Sequence, residues 1–283
     1  MSGILVVDNV TLTVPGRTLC TGVSFTVAAG ERWVVVGPNG AGKTTLLAAL
    51  AGLRPAAAGS IRLDGRTLRE WTPRERALRI GLLPQDTVDA FPDTVLEIAL
   101  AGRHPHVPRW RAESQDDVAV AKWALDAVEC AGLAARNVQT LSGGERRRVA
   151  LAMLLAQDPA IMLLDEPTNH LDIAHEVRVL ELLAARASEG HRALVMSLHD
   201  LTLAARHATH ALLFGFDGVS AGTARDMLTE RRLSALYGQP LARVDFDDGV
   251  AFLPRATRRD GASPAAAAAR GSTTVGDEDH GAL

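Results

Sequence analysis

Lysine, aromatic residues and cysteine are all scarce in this chain. Of its 30 basic residues only Lys43 and Lys122 are lysines; the rest are arginines. Aromatics make up 4% of the 283 residues, which excludes a core built on ring stacking, so the interior has to be aliphatic and rich in alanine. The two cysteines, Cys20 and Cys130, stand far apart with no metal-ligand spacing. That excludes a disulfide framework and a thiolate zinc site, and leaves two reduced thiols. No uninterrupted apolar run approaches the roughly 20 residues that span a bilayer, and the first residues lack the charged-then-apolar pattern of a signal peptide. The expectation is a cytoplasmic chain whose membrane tasks, if any, fall to other chains. A net charge of −3 speaks against a dedicated nucleic-acid binder. What remains, 47% hydrophobic and 22% charged, is the composition of a globular protein with ample core for one large domain or two small ones.

Hydrophobic periodicity organises the chain. Residues 4–36 read as short strands, with Val23, Phe25 and Val27 alternating and Arg32–Val36 forming a buried run. A Gly-rich loop follows, and Thr44–Leu53 then read as a helix ending at Gly52. Ser60–Leu63 is a strand that turns at Asp64-Gly65, and Ile80–Leu83 another before Pro84. Thr94 with Glu97 makes a capping box for a helix that Gly102 closes. A second helix puts Val118, Ala121, Leu125 and Val128 on one face and is expected to stop at Gly132. Strands then alternate with helices: Ile161–Leu164, Ala193–Leu198 and Ala211–Phe214. The pattern predicts an α/β fold with a parallel-strand core and a helical insertion at about residues 86–160. Leu241–Phe246 and Val250–Leu253 flank Asp247-Asp248-Gly249, a hairpin signal. Residues 255–283 hold almost nothing to bury and are expected to be disordered.

Two segments carry phosphate chemistry. After Val34–Val36 come Gly37, Pro38, Asn39, Gly40, Ala41, Gly42, Lys43, Thr44 and Thr45, which fit G-x-x-x-x-G-K-[ST] between a strand and a helix. Glycines let backbone amides converge on the β- and γ-phosphates, and the helix adds the positive end of its dipole. An arginine-rich chain has kept lysine here, where a compact ammonium meets phosphate oxygens and a guanidinium fork would crowd the cradle. The Thr44 hydroxyl is placed to ligate Mg²⁺. The second segment is Ile161–Leu164 followed by Asp165-Glu166. Asp165 at the strand end can hold Mg²⁺ through water, and Glu166 can take the proton of an attacking water as general base.

Between them lies Leu141-Ser142-Gly143-Gly144-Glu145. A Ser hydroxyl and two Gly amides at a helix start form a second anion site. The arginines that follow, Arg146–Arg148, read as a solvated helix face.

Phosphate loop, Ser-Gly-Gly and acidic pair, in this order, resemble the ATP-binding-cassette (ABC) ATPases. The resemblance covers about residues 4–245 and implies a P-loop NTPase core with an N-terminal antiparallel β-subdomain and an inserted helical subdomain, together an ATPase domain over residues 1–254. It implies ATP and Mg²⁺ as ligands, and a second copy of the chain whose Ser142–Glu145 segment faces the γ-phosphate held by the first. It also implies roles for residues that spacing alone does not assign. Gln85 would contact Mg²⁺ and the attacking water, Asp172 in Pro167–Asp172 would reach across the dimer, and His199 would touch the γ-phosphate beside Glu166. One position departs from the pattern. Where the family usually places an aromatic residue for adenine, this chain has Val14, which leaves ATP versus GTP open. Trp33 reads as core. His104, His106, His170, His175 and His191 have no metal spacing and read as surface or local hydrogen-bonding residues.

An interval of roughly 55 residues between Gln85 and Leu141 is too short for a long coiled coil, which disfavours the DNA-repair branch of the family. A single cassette disfavours the translation factors. Thr94–His106 and Leu233–Leu241 look like the bacterial importers of metal chelates, and Ser142–Ala152 with Met196–Leu201 lean toward cobalamin over iron-siderophore or haem. Such an ATPase would sit on the cytoplasmic face of the inner membrane with two permease chains, served by a periplasmic or lipoprotein substrate-binding protein and without nucleic acid. The competing reading is a soluble ABC ATPase with a regulatory or nucleic-acid-linked role.

Overall fold

The computed structural model describes residues 4–85, 93–108, 110–215, 218–247 and 249–255. The chain opens with the long strands β1 (Leu5–Val14) and β2 (Arg17–Val27), then β3 (Arg32–Val36) and helix α1 (Lys43–Leu50). Next come β4 (Ala58–Leu63), β5 (Arg66–Thr67), α2 (Pro73–Ala77) and β6 (Ile80–Leu83). Helices α3 (Val95–Ala101), α4 (Gln115–Ala127) and α5 (Gly143–Gln157) lead to β7 (Ile161–Asp165), α6 (Ile173–Ser188), β8 (Ala193–Ser197) and α7 (Leu201–His207). The described chain ends with β9 (His210–Gly215), β10 (Gly218–Thr223), α8 (Ala224–Met227), α9 (Glu230–Tyr237), β11 (Leu241–Phe246) and β12 (Gly249–Pro254).

Strands β2, β1, β4 and β5 form one antiparallel sheet, and β10-β9-β3-β8-β7-β6 form a second. In the second sheet all neighbours from β9 to β6 run parallel, and β10 joins the edge antiparallel. The central strands carry no alternation of polar and apolar residues because both faces are covered. Trp33, Val35, Ile161, Leu163, Val195 and Phe214 point into a core shared with α1 and the antiparallel sheet. Their neighbours Val34, Val36, Met162, Leu164, Met196 and Leu213 point into a core shared with α3 to α7. The functional loops therefore leave one end of a sheet whose strands are fixed from both sides.

Local signals set the helix starts. Thr72, Thr94, Ser114 and Ser142 each cap a helix in a reciprocal box with Glu75, Glu97, Asp117 and Glu145, each satisfying orphan amides of the first turn. α3 ends at Gly102 as expected. α4 does not run to Gly132: it ends at Ala127, because Val128 leaves helical geometry and Glu129 adopts a left-handed φ of 56°. Val128 is still buried at 3% exposure, so its apolar character reflects packing after the helix. The hairpin expected near the end is β11–β12, with Asp248 of its turn outside the described residues. So is the segment from residue 256 onward, on which the expectation of disorder falls. Cys20 and Cys130 are free and buried, and Trp33 is core at 4% exposure, stacked on His210 at 4.7 Å.

His207, the last residue of α7, is buried with its Nε2 unpartnered. Burial, helped by the charges of Arg206 and Arg32 and opposed by Glu181, holds its pKa below the ordinary 6.5. A histidine kept neutral by folding binds fewer protons than it does unfolded, so its contribution is intact above pH 6.5 and is lost as pH falls below that value. Thermal melts between pH 7.5 and 5.5 should show Tm falling on acidification, and His207→Gln should flatten that dependence. An unchanged slope in the variant would assign the acid sensitivity elsewhere.

Candidate functional site

The end of β3 dictates a glycine. A Cβ on Gly37 would lie 2.0 Å from the Phe214 carbonyl oxygen on the adjacent strand β9, so only a residue without a side chain lets the loop leave the sheet here. The loop re-enters helical geometry through Gly42 at φ 122°, and α1 begins at Lys43. That lysine is only 6% exposed. Its ammonium donates to the carbonyls of Gly37 (2.8 Å) and Pro38 (3.2 Å), inside its own loop. Burial pulls its pKa down, and the negative charges of Glu166 and Asp165 oppose that shift. Asn39, Gly40, Gly42, Thr44 and Thr45 line an open cavity of about 480 Å³, while Ala41 is buried beneath the loop. Gln85, Glu166 and His199 complete the wall. Val14 is at the rim with Arg17, whose guanidinium donates to the Gly40 carbonyl at 3.3 Å.

β7 delivers the acidic pair. Asp165 is its last residue and 2% exposed. Oδ1 accepts from the Ser197 hydroxyl at 2.5 Å, whereas Oδ2 is buried without a hydrogen-bond partner. An orphaned carboxylate oxygen costs about 1–3 kcal/mol or more. A cation near it removes that cost, so the Mg²⁺ that the sequence implies fits this donor set. Glu166 follows with a left-handed φ of 50°, a conformation that non-glycine residues keep mainly at functional positions. The residue is 8% exposed, and the turn brings its carboxylate against three side chains: Gln85 donates from Nε2 at 3.2 Å, Asn169 donates from Nδ2, and His199 Nε2 meets Oε1. Ser197 accepts from the Glu166 amide at 2.9 Å, so one hydroxyl on β8 fixes both acids.

Sequence patterning misassigned Arg147. It is not a solvated residue of the helix face: it is 3% exposed, and carbonyl oxygens of Pro84, Gln85, Asp165, Glu166 and Pro167 accept from its guanidinium. Arg148 is half-buried beside the Ser142 segment and donates to the Val128 and Glu129 carbonyls at 3.0 Å each. Three arginines in a row carry no periodicity that could reveal this. Arg147, Asn169 and Ser197 are the site residues that sequence reasoning did not assign. Asn169 lay inside the Pro167–Asp172 segment, and Ser197 was the one polar residue ending an apolar strand, so both had a positional signal. Arg147 had none.

Ser142, Gly143, Gly144 and Glu145 do not line the Lys43 cavity. They line a separate one of about 450 Å³ with His170, Leu171, Asp172 and His175. Ser142 caps α5 and Glu145 reciprocates at 2.8 Å, so the ordinary helix start and the candidate anion site are the same residues. Gly144 has a reason within the chain, since a Cβ there would lie 2.8 Å from the His170 carbonyl oxygen. Gly143 has only ordinary contacts at 3.6 Å or more, so nothing within the chain demands glycine there. Asp172 caps α6, accepting from the His175 amide at 2.9 Å and facing its Nδ1 at 2.8 Å. These bonds hold its carboxyl below the usual carboxylate range.

Comparison with known proteins gives the chain a family. Residues 20–169 match the sequence profile of the family described as ABC transporter. The hemin import ATP-binding protein HmuV of Nocardia farcinica is 46% identical over 232 residues, covering 82% of this chain and 80% of the relative. The ferric enterobactin transport ATP-binding protein FepC of Escherichia coli is 39% identical, covering 87% of this chain and 91% of the relative. Among solved structures, an inward-facing metal-chelate type ABC transporter aligns with a TM-score of 0.78 and 29% identity, over 90% of this chain and 98% of that one. By the profile match and by these relatives, the chain belongs to the ABC transporter family, as an ATP-binding member.

Proposed function

We propose that two copies of this chain clamp two ATP molecules at their mutual interface and drive import of an iron chelate through two separate permease chains. One observation carries the two-copy reading: the residues suited to phosphate fall into two cavities of one chain, one around Lys43 and one around Ser142. A single copy offers the γ-phosphate a loop, a base and no second cap. Head-to-tail pairing of two copies supplies it. Among the described residues no helix is long and apolar enough to cross a membrane, so the permease is assigned to other chains, with the ATPase on the cytoplasmic face of the inner membrane. The lean toward cobalamin gives way to haem, with iron-siderophore next, because the relatives reported above are named for hemin and ferric enterobactin import. A substrate-binding protein outside the membrane completes the importer.

In the closed pair, the loop amides of Asn39–Thr44 and the Lys43 ammonium bind the β- and γ-phosphates, leaving the carbonyls that Lys43 now occupies. The Thr44 hydroxyl, Gln85 and the orphaned Oδ2 of Asp165 would hold Mg²⁺, which would neutralise phosphate charge. Glu166 takes the proton of the attacking water. Asn169 and Gln85 hold its carboxylate by donating to one oxygen, and His199 meets the other oxygen and faces the γ-phosphate. Val14 and Arg17 offer adenine an apolar and a cationic neighbour in place of an aromatic ring. Tighter binding of ATP than of ADP by the closed pair makes the cycle directional.

The test is transport itself. Deleting the chain from its host should abolish uptake of radioiron-labelled haem, and the intact chain should bring two membrane proteins with it from detergent extracts. Uptake of haem that continued unchanged, alongside lost cobalamin uptake, would restore the first cargo. Purification without any membrane partner would favour the soluble ATPase.

A further inference from the structure

We propose that Arg147 is a positioning residue that ties the two halves of the site carried by one chain. Its helix α5 begins at Gly143, whose segment reaches for the nucleotide of a second copy, while its guanidinium holds the backbone around the water-activating groups of its own chain. The inference rests on the two-copy reading above. The geometry is specific. Nη1 donates to the Pro84 and Gln85 carbonyls at 2.6 and 3.1 Å, Nη2 to those of Asp165 and Glu166, and Nε to that of Pro167 at 3.2 Å. These acceptors come from two segments, the loop after β6 and the end of β7 with the loop that follows it. The second carries Glu166 and Asn169; the first carries Gln85, which itself donates to Glu166. One planar fork therefore spans both loops from one turn inside α5.

Only arginine does this. A guanidinium presents five donors in a fixed plane, and charge-assisted bonds to carbonyls are among the stronger kind. Lysine offers one nitrogen and cannot span two loops. Because the fork is 3% exposed, water cannot take over the carbonyls when α5 moves, so a shift of the helix and a shift of the two loops are one event. Closure of Ser142 on a second copy's phosphate would then set Gln85 and Glu166 for the other pocket, which couples the two hydrolysis sites.

Mixed dimers test this with a readout that local support alone would not give. In a dimer with Glu166→Gln in one copy, a single complete pocket remains, built from Glu166 of the unaltered copy and Ser142 of the altered one. Arg147→Met is then placed either in the copy that supplies Glu166 or in the copy that supplies Ser142. Both placements should lower turnover by about 10²-fold, the cost of misplacing a catalytic group by roughly 1 Å, with affinity for a fluorescent ATP analogue unchanged. Arg147→Lys, which keeps the charge and one donor nitrogen, serves if the Met variant is too unstable to purify, and the same two placements are compared. Loss confined to one placement, or no loss in either, overturns the proposal. Dimers with Arg147 intact that failed to turn over ATP would count against the two-copy reading, separately from the role of Arg147.

Discussion

Glu166→Gln protein should bind ATP as tightly as the wild type and hydrolyse it about 10²- to 10⁴-fold more slowly, the usual contribution of a positioned general base. Glu166 is nearly buried, at 8% exposure, and its carboxylate meets Gln85, Asn169 and His199. Glutamine has the same shape and keeps one acceptor oxygen, so the fold and the cavity survive. It has no basic oxygen to take a proton from water; its one oxygen can still accept from Asn169 and Gln85, and its amide nitrogen takes the place that faces His199. The groups proposed to bind the phosphates, the Asn39–Thr44 amides and the Lys43 ammonium, are unaltered in the variant, so affinity should not fall. With binding intact and turnover stopped, the nucleotide-bound pair accumulates. Size-exclusion chromatography with MgATP should show a dimer for the variant, with the wild type largely monomeric once its ATP is spent. Normal turnover by the variant would remove Glu166 from its assigned role.

Ser142→Arg should abolish hydrolysis, by at least about 10²- to 10³-fold as for the loss of one preorganised donor to a developing anion, while leaving the affinity of the isolated chain for nucleotide nearly unchanged. The reason is spatial. Ser142 and Lys43 line different cavities of the same molecule, so a bulky cation at 142 obstructs only what a second copy brings. Losing the cap costs about 1 kcal/mol, which a helix with eight buried residues tolerates. Mixed dimers sharpen the test. Glu166→Gln in one copy and Ser142→Arg in the other strike the same composite pocket and leave the second complete. Both lesions in one copy strike both pockets and leave none. Equal activity from the two arrangements would mean that each chain hydrolyses ATP by itself.

Much of the site could be read from residues in a row because phosphate chemistry is local. A loop that converges its amides on an anion needs glycines at fixed offsets and a helix directly after, so Gly37–Thr45 announce themselves. A strand buried on both faces and ending in two acids does the same for Asp165 and Glu166. Gln85 and His199 were recognisable only through family resemblance, since each is a lone polar residue after a strand. Their meeting at Glu166 spans 81 and 33 residues of chain. The end of α4 was misplaced because Gly132 is a strong stop signal, whereas the true break, at Val128 and Glu129, carries no glycine or proline.

By itself, then, the order of residues determined which chemistry this chain performs and which strands are central, since both depend on neighbours in the sequence and on unbroken apolar runs. Packing alone decided that Arg147 faces inward, that Ser197 locks both acids, and that the Ser142 segment opens on a different cavity from the Lys43 loop. Those facts depend on where α5 lands against the ends of β6 and β7. A guanidinium surrounded by backbone carbonyls leaves no trace in the identity of the residues that supply them, because every residue has a carbonyl to offer.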